Sequence, residues 1–498
     1  MRRHHWHLWA LAMTGWLGLG STALAASFAW LEGEAPTSAT FEYKTGGWGN
    51  ASYLSGESWL HLSIPAKDVE KAVPAGGAIL RYEFQATEAG QHEIWNRAGF
   101  EYIRAHFEWR MDDGRWTLVD PQQVLSTDLM EIANWCEVAW VPLGKAQLTA
   151  GKHALELRFP LRYQDKEKKK PIRIIYASDA LVVSNTPFRP NGKHRPSAAW
   201  RTGADRTAAE HVFVMPAGTE SGKRVQLPLT GRWQYARFDH LGRAGDQRTL
   251  PVPALPDAKE LHWSSIAVPG GRNALRPDQN FCHRYICQTR VQIPQSLKGR
   301  RLLLDFTEAN TFTTVFVNGQ RVGFSDAVLA GFTVDITDAV RWGEANTVSI
   351  AIKDAYYAIE PNDGKDVHHW FNIPNGMMSS NQGVTHRFDY PVKGALENGI
   401  TDEVRLIAAG RAVIEDAYFI PSVKKGVITA ETTVRNPGKA PVSYQVSHEI
   451  QPAQGGGAKK VLDGGRLEIA PGAAGVLASV TPWADATLWW PDRPHLYV

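Results

Sequence analysis

Apolar and polar residues alternate with a period of two along most of this chain. The alternation is clearest at residues 80–84, 155–159 and 348–352, where Leu, Ile, Val, Tyr or Phe stands at every second position. This period predicts half-buried antiparallel strands. Asn318-Gly319, between two strand-like stretches, predicts a two-residue hairpin turn. No long amphipathic helix is indicated, so the pattern predicts an all-β chain of sandwiches or jelly rolls.

Two breaks in the pattern divide the chain into modules. A proline-rich stretch at 187–203 is typical of a linker, and the pattern changes again near Gly410. We therefore predict three tandem β-sandwiches. Their expected ranges are 26–188, 204–409 and 410–498, with a linker at 189–203.

The N-terminus has the layout of a secretory signal peptide. Arg2 and Arg3 precede an apolar stretch over about residues 8–19, and Ala23-Leu24-Ala25 provides a small-residue cleavage site. A membrane anchor is the alternative, but the apolar run is shorter than the roughly 20 residues that a spanning helix needs. We predict that residues 1–25 are removed and that the protein is secreted or periplasmic, without a membrane span.

Composition narrows the possible partners. The 498 residues include 54 Lys and Arg against 51 Asp and Glu, a net charge of +3. This balance gives no electrostatic footprint for nucleic acid or for a membrane surface. The three cysteines show no metal-type spacing, and Cys282 and Cys287 are placed to face opposite sides of a strand. We expect hydrophobic cores, rather than disulfides, to hold the fold.

The second and third modules carry an ordered set of family-like motifs. In the second module the set is Leu229–Trp233, Trp263–Gly270, Val291–Pro294, Leu297–Phe306, Val315–Gly323 and Gly343–Asn346. This set resembles the N-terminal sugar-binding jelly roll of glycoside hydrolase family 2, which includes β-galactosidases, β-glucuronidases and β-mannosidases. Residues 414–418 with 434–436 resemble that family's immunoglobulin-like sandwich. Residues 488–497 resemble the segment that leads into its catalytic barrel.

The first module is similar to galactose-binding-like jelly rolls of the carbohydrate-binding-module type. The motifs that carry this similarity are Trp30–Ala35, Glu88–Ile94, Leu148–Leu157 and Ser178–Val183. In those modules matching carboxylates hold a structural calcium ion, so the resemblance implies Glu32, Glu34 and Asp179 as calcium ligands. Exposed charges at a sheet edge are the alternative. The aromatic residues that could stack on sugar rings, or else fill a core, are Trp48, Tyr53, Trp95 and Trp135.

The family's catalytic pair is not found in the sequence. Retaining glycosidases need two carboxyl groups about 5–5.5 Å apart. In the family resembled, both are Glu residues on a barrel, and one directly follows an Asn. This chain has no Asn-Glu dipeptide and no strand–helix alternation that would predict a barrel. We therefore expect no catalytic residue here and an interrupted sequence, with the barrel downstream.

Substrate contacts are still implied by the resemblance. Asp354, just past a strand, matches a carboxylate that some family members send into the barrel mouth, and Trp370 lies in the loop that follows. A carboxylate that caps a turn is the alternative for Asp354. The sequence thus indicates the non-catalytic N-terminal part of a secreted family 2 hydrolase of O-glycosyl bonds, acting on β-linked oligo- or polysaccharides. A stand-alone carbohydrate-binding protein and an extracellular structural adhesin are the alternatives.

Overall fold

The computed structural model is all-β, which confirms the predicted fold class. It describes residues 27–47, 49–99, 107–119, 127–133, 136–160, 172–196, 198–218, 224–238, 250–279, 282, 284–354, 398–410, 412–455 and 459–498. The signal-peptide prediction and three of the aromatic predictions, Trp48, Trp135 and Trp370, lie outside these residues. Within them, no helix has the length and apolarity needed to cross a membrane.

The first sandwich consists of two sheets. One has the strand order β3-β4-β12-β6-β10-β9, with β1 also paired to β12, and the other has the order β2-β5-β11-β7-β8. Its strands are Phe28–Glu32 (β1), Ser38–Ala39 (β2), Lys44–Gly46 (β3), Trp59–Ile64 (β4), Ala78–Ala86 (β5), Gly90–Gly99 (β6), Phe107–Met111 (β7), Thr117–Val119 (β8), Thr127–Ala133 (β9), Cys136–Leu148 (β10), Gly151–Phe159 (β11) and Ile174–Ser184 (β12). A one-turn helix, Val69–Ala72 (α1), follows β4. The alternating residues of β5 and β11 meet in the core between the sheets.

The second sandwich has one sheet ordered β16-β15-β18-β23-β20-β21, with β13 on β18, and another ordered β14-β25-β19-β22. Its strands are Phe213–Val214 (β13), Val225–Pro228 (β14), Gly231–Arg237 (β15), Ser264–Val268 (β16), Gly270–Gly271 (β17), Arg284–Gln292 (β18), Arg301–Phe306 (β19), Phe312–Val317 (β20), Gln320–Ser325 (β21), Phe332–Asp335 (β22), Ala345–Lys353 (β23), Gly399–Ile400 (β24) and Val404–Ala409 (β25). Its α-helices are Gly203–Glu210 (α2) and Arg272–Leu275 (α3).

The hairpin predicted at Asn318-Gly319 is confirmed. Strands β20 and β21 pair across it, and both turn residues have positive φ, 51° for Asn318 and 82° for Gly319. Two positive φ values are the requirement of a type I′ turn, which Asn-Gly meets at low cost.

Strand β23 differs from the prediction of half-burial. Ser349 and Ala351 are buried as fully as Val348, Ile350 and Ile352. A second apolar cluster, formed partly by residues 252–263, covers the outer face of this sheet. Strand β23 is therefore covered on both faces, and Asp354 follows it directly.

Helix α2 lies where the sequence indicated only the end of a linker. Thr202 and Asp205 form a reciprocal capping box at its N-terminus: the Thr202 hydroxyl accepts from the Asp205 N–H, and Asp205 accepts from the Thr202 N–H. This Thr-x-x-Asp pattern is the sequence signal for the helix start. Ser265 Oγ of β16 donates to the Asp205 carboxylate over 2.7 Å, which ties the helix to the second sandwich.

The third module has small sheets ordered β26-β27-β30 and β28-β29. Its strands are Val413–Ser422 (β26), Val427–Arg435 (β27), Val442–Ile450 (β28), Lys460–Ile469 (β29) and Ala474–Pro482 (β30). All three cysteines are buried and none forms a disulfide, in agreement with the prediction that Cys282 and Cys287 do not bridge. The predicted reason, that both cysteines lie on one strand and face opposite sides, does not apply. Strand β18 begins at Arg284, so it contains Cys287 but not Cys282.

Candidate functional site

Asp354 follows directly on β23 and is nearly buried. Its strand pairs with β18 on one side and β20 on the other, so its backbone position is fixed from both sides. The side chain is 7% exposed. A carboxylate so placed has lost most of its water and needs polar partners from the protein or from a ligand.

Arg272, the first residue of α3, is brought to Asp354 by the pairing of two short strands. Strands β17 and β24 pair Gly271 with Gly399, and the Arg272 N–H donates to the Asn398 carbonyl over 2.7 Å. Gly399 has φ 140°, and a Cβ there would lie 2.7 Å from the Gly270 carbonyl oxygen. Glycine at 399 therefore permits the close approach that brings Arg272 and Asn398 together.

Four side chains form what we call the Asp354 cluster: Asp354, Arg272, Asn398 and Tyr285. Arg272 Nη2 lies 3.6 Å from Asp354 Oδ2, and Asn398 Nδ2 donates to the same oxygen over 3.4 Å. Arg272 Nε and the Tyr285 hydroxyl both donate to Asn398 Oδ1, over 2.9 and 2.8 Å. The two donors hold the Asn398 amide, while the two contacts of Asp354 with Arg272 and Asn398 are longer than an ordinary hydrogen bond.

The charge states in the cluster follow from its burial. Burial raises the pKa of Tyr285 well above its ordinary value, so its hydroxyl stays a neutral donor. Burial alone would lower the pKa of Arg272, but neighbouring groups, Asp354 among them, raise it above its ordinary value. The cluster therefore presents a fixed cation beside one carboxyl group. That arrangement can orient a hydroxylated ligand, but glycoside hydrolysis requires a second carboxyl group.

Asp179, predicted as a calcium ligand, forms a buried ion pair with an arginine instead. Its Oδ2 lies 2.6 Å from Arg97 Nη1, with both side chains completely buried, and its Oδ1 accepts from the Ser55 N–H over 2.8 Å. The cation that meets this carboxylate is thus Arg97. Both oxygens are engaged, so Asp179 does not fit the role of a calcium ligand.

Glu32 and Glu34 fit a cation better. Each keeps one buried carboxylate oxygen without a hydrogen-bond partner among the described residues, although Glu32 Oε1 also accepts from Arg195. Burial, together with the charges of Glu32 and Asp179, raises the pKa of Glu34. No group of three or more His, Cys, Asp or Glu side chains in the described part of the chain forms a metal cluster. The calcium prediction remains a prediction, for two of its three residues.

The two described aromatic candidates belong to packed clusters. Tyr53 packs against the apolar cluster around Leu54 and Trp59. Trp95 meets Phe188 edge-to-face at 5.7 Å between ring centroids, and Trp95 Nε1 donates to Glu93 over 3.3 Å. Phe188 precedes the predicted linker, so Trp95 helps to hold the start of that segment on the first sandwich.

Sequence reasoning missed Arg272, Asn398 and Tyr285. Asn398-Gly399 has the form of a turn dipeptide, but here it forms the end of a short paired strand. The signal that was present is Gly270-Gly271 directly before Arg272, because paired glycines permit a close backbone approach.

Comparison with known proteins places three of the four residues of the Asp354 cluster in a matched region. Residues 271–389 match the family model for the glycosyl hydrolase 2 galactose-binding domain-like domain, and residues 412–498 match the model for glycosyl hydrolases family 2. Arg272, Tyr285 and Asp354 lie within the first match.

Curated and solved relatives match over limited lengths. A β-glucuronidase of Bacteroides fragilis is 27% identical over 156 residues, 31% of this chain and 20% of the relative. The β-mannosidase B of Thermothelomyces thermophilus is 28% identical over 137 residues, 27% of this chain and 15% of the relative. The crystal structure of Bacteroides uniformis β-glucuronidase is 17% identical, with a TM-score of 0.38, over 55% of this chain and 30% of the other. The chain thus matches a fifth or less of the curated relatives' length.

Proposed function

The chain carries two consecutive domains of glycoside hydrolase family 2, and from this premise we propose that it is the non-catalytic, carbohydrate-recognising N-terminal part of a secreted hydrolase of O-glycosyl bonds. The observation that carries the proposal is the Asp354 cluster. It lies at a strand end of the matched galactose-binding-like domain and holds a nearly buried carboxylate beside the Arg272 guanidinium and the Asn398 amide. The substrate class proposed is an oligo- or polysaccharide with β-linked sugars.

The cluster's role is orientation of substrate. The Asp354 carboxylate lies 3.6 Å from Arg272 Nη2 and 3.4 Å from Asn398 Nδ2, and a carboxylate can accept a shorter bond from a sugar hydroxyl. Arg272 keeps its other contacts, to Asn398 and to the Gln279 carbonyl, so its guanidinium stays in place when Asp354 turns to a ligand. The acid and the nucleophile that cleave the bond are proposed to stand on a catalytic barrel downstream.

The test compares activity with and without a barrel. The purified chain should show no turnover of aryl β-galactosides, β-glucuronides or β-mannosides. With the catalytic barrel joined after Val498, Asp354→Asn should lower kcat/KM by about 10- to 100-fold, since it weakens a hydrogen bond to a charged group. The matched control is Asp335→Asn, which removes an exposed partner of Arg301 in the same domain and should leave kcat/KM unchanged.

Other results would overturn the proposal. Turnover by the chain alone, abolished by one carboxylate substitution within it, would place a catalytic site here. Oligosaccharide binding without a barrel in the reading frame, and unaffected by Asp354→Asn, would favour a stand-alone carbohydrate-binding protein.

Structural calcium at Glu32 and Glu34 belongs to the same proposal. Calcium prefers carboxylate and backbone oxygens, and the two unpartnered buried oxygens are of that kind. Chelator should then lower the melting temperature of the protein, and added calcium should restore it, because a ligand that binds only the folded state stabilises it by mass action. In Glu34→Gln the chelator should have no effect. A melting temperature of the unsubstituted protein that ignores both chelator and calcium would contradict the site.

A further inference from the structure

A cavity of about 300 Å³ lies where the first sandwich, the segment after it and the second sandwich meet. Met130 lines it from the first sandwich, Pro190 and Trp200 from the connecting segment, and Tyr235 and Gln279 from the second sandwich. Its size is at the lower end of the range for small-molecule sites. None of the residues predicted as sites from the sequence lines it.

The walls of the cavity are fixed by contacts across the two sandwiches. Arg237 of β15 and Asp128 of β9 form an ion pair of 2.6 Å in which both side chains are buried. Asp128 also accepts from the Gly192 N–H, and Trp140 Nε1 donates to the Gly192 carbonyl over 2.9 Å. These contacts tie Gly192 to the first sandwich, and the His262 ring contacts the Arg189 carbonyl over 3.1 Å from the second. The cavity therefore exists before any ligand enters.

Charged groups of both signs surround the cavity. Arg276 binds Asp278 through two contacts of 2.9 and 2.7 Å, and Arg237 is paired with Asp128 just behind the wall. Arg232 donates to Ser265 Oγ over 3.4 Å, and the same Ser265 donates to Asp205 over 2.7 Å. With Asp128 included, three guanidinium groups meet three carboxylates, so the charges favour neither an anion nor a cation.

Two buried polar atoms of the lining residues have no hydrogen-bond partner among the described residues, the Tyr235 hydroxyl and Gln279 Oε1, and Gln279 Oε1 can only accept. Gln279 is 8% exposed, its Nε2 donates to Asp278 over 3.1 Å, and its Oε1 is buried without a hydrogen-bond partner among the described residues. An unsatisfied buried acceptor costs about 1–3 kcal/mol, so a ligand hydroxyl that donates to it is favoured.

The cavity also has a flat aromatic side. The Trp200 ring is half-buried between His194, at 5.7 Å between centroids, and His262, at 6.1 Å. An indole face suits an apolar C–H surface, while the paired charges and the free acceptor suit hydroxyl groups. A neutral sugar ring combines these two surfaces in one small molecule.

We propose that this cavity binds one neutral glycosyl residue, with Trp200 against the ring and Gln279 Oε1 accepting from a hydroxyl. The cavity shares no lining residue with the Asp354 cluster, although Arg272 of that cluster donates to the Gln279 carbonyl, and binding there does not depend on catalysis. It would hold a sugar between the two sandwiches.

The experiment is calorimetric titration of the full chain with galactose, glucose and mannose, and with glucuronate and inorganic phosphate as charged probes. At least one neutral hexose should bind with one-to-one stoichiometry and a Kd in the millimolar range, quenching tryptophan fluorescence. Trp200→Ala should weaken this binding at least about tenfold, and Gln279→Ala should weaken it several-fold. The matched control is Trp490→Ala, an exposed tryptophan of the third module, which should bind as the unsubstituted chain does.

A second variant guards against a folding defect. Trp200→Phe keeps a flat apolar face and should retain part of the affinity, with an unchanged melting temperature. Three results would overturn the proposal: no binding of neutral hexoses up to 100 mM, tighter binding of glucuronate or phosphate, or binding that Trp200→Ala leaves intact. Sugar binding lost in Asp354→Asn but kept in Trp200→Ala would assign the affinity to the Asp354 cluster instead, which supports the proposed function and rejects this site.

Discussion

Both jelly rolls place an aspartate against a buried arginine, but the two pairs are built differently. Arg97 and Asp179 lie 2.6 Å apart with no exposure, and a backbone N–H occupies the second carboxylate oxygen. Arg272 and Asp354 lie 3.6 Å apart, and Asp354 keeps a small exposed surface. A closed pair leaves nothing for a ligand, whereas a loose pair at a strand end can exchange a partner for one. The same residue types thus form a closed pair in one domain and, in the proposed function, a pair that orients a ligand in the other.

The largest effect should come from breaking the closed pair. Asp179→Asn leaves the Arg97 charge buried without a counter-charge, and loss of one partner of a buried pair costs about 3–5 kcal/mol. Thermal and denaturant unfolding should show the first sandwich melting well before the rest. Glu83→Gln, which removes an exposed partner of Arg81, should cost less than about 1 kcal/mol. Equal losses in the two variants would refute the distinction.

A third pair, Arg237 with Asp128, extends the comparison across the boundary between the two sandwiches. Arg237→Met removes the charge but keeps much of the side-chain volume, and it leaves Asp128 with only the Gly192 N–H. We expect a loss of about 3 kcal/mol, at the lower end for a buried pair. The loss should appear as separate melting of the two sandwiches and as faster proteolysis in residues 189–203. A single unchanged transition would mean that the pair does not couple them.

Asp354→Asn should affect stability least among these pairs. Arg272 retains its bonds to Asn398 and to the Gln279 carbonyl, and the amide can still accept from Asn398. A cost of about 1 kcal/mol is expected, as for one ordinary hydrogen bond. Asp335→Asn is the matched control for unfolding in the same domain. A loss of stability as large as that of Asp179→Asn would show that the Asp354 pair is structural as well.

The sequence could predict features that depend on adjacent residues, but not features that depend on residues far apart in the chain. The turn at Asn318-Gly319 depends on the φ preferences of two adjacent residues and was predictable. The burial of Ala351 depends on residues 252–263, which cover the sheet from far away in the chain. Asp179 meets an arginine 82 residues earlier, so no local pattern separated a calcium ligand from an ion pair.

Asp354 shows the same limit at the candidate site. Its position after β23 could be predicted from the alternation at 348–352. Its partners could not, because Arg272 and Asn398 are 126 residues apart and meet only when β17 pairs with β24. The family resemblance predicted that Asp354 contacts substrate, whereas its contacts with Arg272 and Asn398 became known only from the folded structure.

The smallest expected effect is on how folding stability changes with pH. Histidines at the boundary between the two sandwiches should change it in the opposite direction to a histidine on the first sandwich. Burial lowers the pKa of His262 and of His194 below the ordinary 6.5. On the first sandwich, the hydrogen bond that the His153 ring donates to the Asp112 carboxylate raises the pKa of His153. A histidine with a lowered pKa binds fewer protons in the folded state than in the unfolded state. Its contribution to stability is therefore complete above pH 6.5 and is lost as the pH falls through the pKa of the folded state.

His153 has the opposite sign: its contribution to stability is present below pH 6.5 and is lost as the pH rises through its pKa in the folded state. Lowering the pH from 7.5 to 5.5 should therefore destabilise the boundary, and His262→Gln should reduce that loss while His153→Gln increases it. Unfolding curves of the two variants at both pH values measure this difference, and the same change in both variants would contradict the assignment.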